Sequence, residues 1–162
     1  MSRRYIEGQE ARITVNDKLF VDVEFYGGEK LEMLEPKRLF PTSGITRYIT
    51  LLDLDGNEKA IIRNIDTLMP ESKEAIESCL REHYLIPKLK RFVRRTEKFR
   101  IWMWTWETDN GEVSFEIINH IASLKLLYDG RVLIKDGNDN RYEIPNVYEL
   151  DKRSFKMIMP DL

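Results

Sequence analysis

The sequence runs to 162 residues, 42% hydrophobic and 33% charged, with a formal net charge of −2. That is long enough to bury a real core and too apolar for a disordered chain. One cysteine, Cys79, excludes an intrachain disulfide framework, and no stretch approaches the roughly 18 apolar residues of a membrane helix.

Residues 1–10 are polar, lack the apolar core of a secretory signal, and read as a flexible N-terminus. The expectation is a cytoplasmic protein with no direct membrane insertion, reaching a membrane only by docking on something that spans it. Residues 11–162 read as a single domain. Residues 12–15, the turn Asn16-Asp17 and residues 19–25 form a first hairpin; Gly27-Gly28 turns the chain into residues 30–34. Pro36 and Pro41 bracket a stretch that argues against a central strand. Residues 47–54, Asp55-Gly56 and residues 58–62 form a second hairpin, since Asp-Gly reaches the positive φ its turn needs.

Pro70 suits a first helical position, and Ala75, Ile76, Cys79, Leu80 and Tyr84 recur on one helical face. Pro87 stops that helix, the main one of the chain. Residues 99–107, Asp109-Asn110-Gly111 and residues 113–118 read as another hairpin. Residues 124–128, 131–135 and 141–144 follow as strands, and Asp151 is a good N-cap for a short final helix. The second half echoes the first at an offset of 82: Asn64 falls on Asn146, Leu68 on Leu150, Ser72 on Ser154 and Ile76 on Ile158. The expectation is an α+β, mostly antiparallel chain with two similar hairpin-hairpin-helix halves, about 11–86 and 87–162, separated along the chain by one main helix.

The ordered set of residues 38–43 (Arg-Leu-Phe-Pro-Thr-Ser), 48–51 (Tyr-Ile-Thr-Leu), 55–58 (Asp-Gly-Asn-Glu), 106–111, 141–145 and 150–154 resembles a bacterial domain-of-unknown-function family, number 1854. The resemblance covers about residues 19–158. It implies an accessory role. Members occur as small free-standing proteins associated with cyanophycin metabolism, or attached to ABC transporters. It implies no reaction and no catalytic residues. Asn110 stands where the family often has Arg before the turn glycine.

The residues themselves point the same way. His83 and His120, the only histidines, belong to no His and Cys ligand set. Asp53, Asp55 and Asn57 faintly suggest a calcium loop, but the expected Gly and Glu are misplaced, and a hairpin turn explains them better. Cys79 shares the apolar helix face, which predicts a buried, unreactive thiol. No glycine-rich phosphate loop is present. The reading is a non-catalytic domain without cofactor or metal.

One constellation remains. Residues 88–100 hold seven cations, Lys88, Lys90, Arg91, Arg94, Arg95, Lys98 and Arg100, against one acid, Glu97. That is a local charge of +6, while the rest of the chain carries −8. On one continuous strand, Lys88, Lys90, Phe92, Arg94, Lys98, Arg100, Trp102, Trp104 and Trp106 share a face, basic at one end and aromatic at the other. Such a face suits single-stranded nucleic acid or another polyanion. Phe99, Ile101 and Met103 would then make the core. The alternatives are that the three tryptophans are themselves core, and that the cations contact an acidic protein, with the chain a module for assembly only. The sequence sets no oligomeric state.

Overall fold

A computed structural model of the chain describes residues 3–118 and 123–162. The chain divides into two compact units, Met1–Leu85 and Ile86–Leu162. Each has its own apolar core, and the α+β class with mostly antiparallel strands is borne out.

The first unit contains β1 (Tyr5–Ile6), β2 (Ala11–Asn16), β3 (Phe20–Phe25), β4 (Lys30–Arg38), β5 (Arg47–Leu52) and β6 (Glu58–Asn64). They form one six-stranded sheet ordered β1-β6-β5-β4-β3-β2. The pairs are antiparallel except β1 with β6. Where a loose terminus was expected, Tyr5–Ile6 forms a short edge strand, because Ile6 is apolar enough to be buried completely in the core. Helix α1 (Pro70–Leu85) buries Ser72, Ala75, Ile76, Cys79 and Leu80, the face that the helical period predicts. Tyr84, expected on that face, is exposed.

Pro36 corrects the sequence reading, since it lies inside β4, an interior strand. Pairing with β3 ends at Leu34, and pairing with β5 begins at Glu35. Beside Pro36 the strand therefore has a ladder neighbour on one side only, and the missing N–H breaks no bond to β3.

The second unit contains β7 (Arg91–Lys98), β8 (Ile101–Thr108), β9 (Gly111–Ile117), β10 (Leu124–Leu126), β11 (Val132–Lys135), β12 (Arg141–Ile144) and helix α2 (Lys152–Ile158). The strands make two antiparallel three-stranded sheets, β7-β8-β9 and β10-β11-β12.

The same local devices stand at the echoed positions of both units. Asn64 and Asn146 each cap a 3-10 turn, accepting the N–H of Asp66 and Tyr148 respectively. The Ser72 hydroxyl accepts the N–H of Ile13 on edge strand β2 at 3.0 Å. That of Ser154 accepts the N–H of Phe92 on edge strand β7 at 2.8 Å. One residue out of that register, Asp53 Oδ1 holds the N–H groups of Asp55 and Asn57, and Asp136 Oδ1 holds those of Asn138 and Asn140. These carboxylates brace hairpin turns with backbone donors.

Candidate functional site

The basic segment does not form one extended face. β7 runs to Lys98, the chain reverses at Phe99-Arg100, and β8 returns from Ile101. Phe99 and Arg100 have φ of 54° and 66°. A two-residue hairpin connection with both residues left-handed matches the twist of its strands. It is ordinarily built from Asn and Gly. A bulky side chain there costs about 1 kcal/mol.

A bulge between Phe92 and Arg94 also breaks the parity assumed for a regular strand. Phe92 pairs with Trp106, then Arg95 with Trp104 and Glu97 with Trp102. These residues share the sheet's inner face. Arg94, Thr96 and Lys98 pair with Thr105, Met103 and Ile101 on the outer face, with Ser114 and Glu116 beside them on β9.

The inner face is core. Trp104 and Trp106 are fully buried among Phe92, Phe115 and Tyr142. The Phe115 and Tyr142 rings stack with centroids 4.1 Å apart, and Phe92 meets Trp106 edge-on at 5.8 Å. Trp102 is half-buried under the Arg95 guanidinium, 4.7 Å above its ring. Of the two alternatives for the tryptophans, packing therefore holds for Trp104 and Trp106. A stacking surface for bases made of all three is lost. The expectation that Phe99, Ile101 and Met103 form the core is overturned with it. Phe99 is 86% exposed, Ile101 is exposed and Met103 half-buried, because Phe99 lies in the turn and the face of β8 that meets the core is the one carrying the tryptophans, with which Ile101 and Met103 alternate.

The seven cations separate into two groups. Lys88 Nζ lies 3.7 Å from Glu143 and Lys90 Nζ meets Asp109 at 2.5 Å. Arg91 makes a two-pronged contact with Glu107 at 2.8 and 2.7 Å, which holds that carboxyl below its usual range. Arg95 reaches Asp161 at 4.0 Å. Partial burial lowers the Lys88 ammonium from its ordinary value, against the pull of Glu143. Arg94, Lys98 and Arg100 are exposed and have no ion pair among the described residues. The charge of +6 counted along the chain is thus largely matched by acids that folding brings in from elsewhere.

The three remaining cations flank an apolar surface. Thr96, Lys98, Phe99, Ile101, Met103 and Glu116 line a shallow hollow of about 330 Å³ on the outer face. Toward the other end of β7, the Arg153 guanidinium donates to the carbonyls of Phe92 and Val93 and covers that part of the strand edge. The exposed hairpin end is what sequence reasoning missed. Neither Phe nor Arg marks a left-handed turn. The one signal was a Phe between Lys98 and Arg100 in a segment otherwise fit for a strand.

The chemistry-bearing residues do not converge. Cys79 is buried, and its thiol, donating toward the Phe20 carbonyl at 3.4 Å, is pushed up to about 12 by desolvation. His83 Nε2 lies 2.9 Å from the Leu19 carbonyl, beside the edge of Phe20 and 3.6 Å from Glu35. His120 lies outside the described residues. Among the described residues no group of His, Cys, Asp or Glu is arranged to hold a metal, and no helix is long and apolar enough to cross a membrane.

No curated protein matches the chain, and no solved structure does. One family model matches over residues 31–160, from β4 through α2 and so across both units. On that match, the chain belongs to the family described as "Domain of unknown function (DUF1854)".

Proposed function

We propose that this chain is a non-catalytic accessory domain that contacts a polyanion through the free end of the β7–β8 hairpin, within an ABC-transporter-related, cyanophycin-associated system. The observation that carries the contact is the sorting of the cations. Lys88, Lys90, Arg91 and Arg95 are in ion pairs, whereas Arg94, Lys98 and Arg100 are exposed without one among the described residues. The setting in a transporter-related system rests on the family resemblance alone.

Three phosphate-like contacts give a slope of log affinity against log salt of about −2 on a single-stranded polyanion. Affinity for heparin or an oligonucleotide should then fall about twentyfold between 50 and 200 mM salt. The double variant Arg94→Ser, Arg100→Ser should flatten that slope. Arg91→Ser should leave it nearly unchanged, because Arg91 is engaged by Glu107. Loss of retention from Arg91→Ser alone, or no retention at low salt, sinks the proposal.

A specific observation favours a second reading, a module for assembly only. Leu39, Phe40, Ile45 and Tyr48 are exposed around the β4–β5 connection, with Phe40 and Tyr48 in edge contact at 5.7 Å. Exposed apolar clusters of this kind mark protein contacts. Co-purification with a transporter subunit, lost in Phe40→Ser and accompanied by no binding to polyanions, would decide for it.

A further inference from the structure

We infer that the tip of the β7–β8 hairpin inserts shallowly into an anionic lipid bilayer, with Phe99 below the headgroups and Lys98 and Arg100 among them. This rests on the reading that the hairpin end meets an anionic partner, and it names that partner's class. It replaces the expectation of no direct insertion, which rested on the lack of a long apolar stretch.

Three observations carry it. Phe99 is 86% exposed in the β7–β8 turn, so its ring adds little to the fold. It sits at a φ of 54°, where a small polar residue would be easier to hold. Strain retained at an exposed tip, where the ring has only a weak contact from Lys98 to offset it, points outward to a binding role. The apolar surface continues from the tip into the hollow lined by Ile101 and Met103. Cations beside an apolar tip match a bilayer, whose headgroups take the charge while the boundary below takes the ring.

The charge balance chooses between anionic partners. Glu97 adjoins Lys98 along β7 and Glu116 shares the outer face with Arg94 and Lys98, so with Arg100 counted a surplus of one cation remains. On an anionic leaflet, one basic residue strengthens binding only about fivefold. Electrostatics alone is too weak, and a second, apolar signal is required. Single-stranded nucleic acid needs a cationic groove and successive stacking rings, but Trp104 and Trp106 are in the core. A bilayer needs only the one protruding ring.

The test uses the full chain with vesicles of phosphatidylcholine, with and without phosphatidylserine, beside an oligonucleotide and heparin. The chain should sediment with the phosphatidylserine vesicles and much less with phosphatidylcholine alone. Phe99→Asn should lower that binding about tenfold while the melting temperature stays level or rises, since Asn suits the turn. Lys98→Ser with Arg100→Ser should weaken it about fivefold for each charge removed. Vesicle binding untouched by Phe99→Asn overturns insertion. Binding to oligonucleotide or heparin without vesicles overturns the lipid assignment and leaves the polyanion reading standing. Binding to none of the three overturns both.

Discussion

The two units solve the same packing problem with different materials. In the first, a sixteen-residue helix covers a continuous sheet, and the core is almost wholly aliphatic, from Ile6 and Val21 to Ile76 and Leu80. In the second, the helix is seven residues long and buries only Ser154 and Ile158. The volume a longer helix would fill is taken by Trp104, Trp106, Phe92, Phe115 and Tyr142. Large rings bury 150–250 Å² each, roughly, and compensate for a short covering element. The short helix also carries a side-chain cap, Asp151, which accepts the N–H of Ser154. The long one starts at Pro70, with Met69 at the position echoed by Asp151. A helix of two turns is marginal alone and gains more from a cap.

This contrast gives each unit its own probe. All three tryptophans lie in the second unit, and the only thiol lies in the first. Native Cys79 should resist thiol reagents at neutral pH, so its labelling rate reports opening of the first unit; rapid labelling would show the thiol to be accessible. Trp104→Ala should have the largest effect, a loss of about 3–5 kcal/mol by cavity formation. The loss should be greater by the emission of the remaining tryptophans in urea than by Cys79 exchange. Equal losses by both probes would show that the two cores are not separate in stability.

Next in size are the paired serines. Each accepts an edge-strand N–H in a buried site. Ser72→Ala and Ser154→Ala should therefore each cost about 1–3 kcal/mol by leaving that donor unsatisfied. Ser154 also donates to Asp151 at 2.5 Å, so its loss should exceed that of Ser72. If Ser72→Ala is the costlier in urea unfolding, the short helix is not the one that depends on its polar contacts.

What was legible in the sequence followed from local rules. Ala75, Ile76, Cys79 and Leu80 gave the helix face, Pro70 and Pro87 its limits, and Asp55-Gly56 its hairpin. Asn64 and Asn146, and Ser72 and Ser154, stood out only as echoes, yet each pair has the same hydrogen-bonding task in its unit. The rest depended on non-local facts. Pro36 is tolerated because β4 changes neighbour beside it, which no propensity records. The bulge after Phe92 reverses the side-chain faces without a glycine to mark it. The candidate site suffered most, because Glu143, Asp109, Glu107 and Asp161 neutralise four of the cations from positions remote in sequence. Counting charge along a segment measures attraction only when nothing in the fold answers it.

A smaller effect separates Asp53 from Asp136. Burial alone would raise both carboxyls, but their backbone N–H partners outweigh it and hold both below the ordinary range. A group lowered on folding stabilises above its unfolded value, near 4, and loses that contribution as pH falls through the folded value. Asp136 is buried and also accepts the Tyr142 hydroxyl, whereas Asp53 is only half-buried. Asp136→Asn should therefore remove more of the acid dependence below about pH 4, and cost about 1–2 kcal/mol at neutral pH. Urea titrations from pH 3 to 7 on both variants check this; a larger change for Asp53→Asn would reverse the assignment.

The smallest effect concerns the two turns that open the hairpins. Asp17-Lys18 and Phe99-Arg100 stand 82 residues apart with similar left-handed φ, 55° and 64° against 54° and 66°. Asp tolerates that conformation, because its short side chain bonds locally; Phe does not. Asp17→Asn should therefore change stability by less than about 0.3 kcal/mol, a swap between two turn-forming residues. Phe99→Asn should relieve strain of about 1 kcal/mol and give up the weak contact of Lys98 Nζ, 5.7 Å from the Phe99 ring. The net expectation is a gain of about 0.5 kcal/mol, read by tryptophan emission in urea. Such a gain means that stability does not account for the Phe in this turn, and its reason has to be something the ring touches outside the fold. A loss instead would place the Phe99 ring among the contacts that hold the hairpin and make the two turns equivalent in purpose.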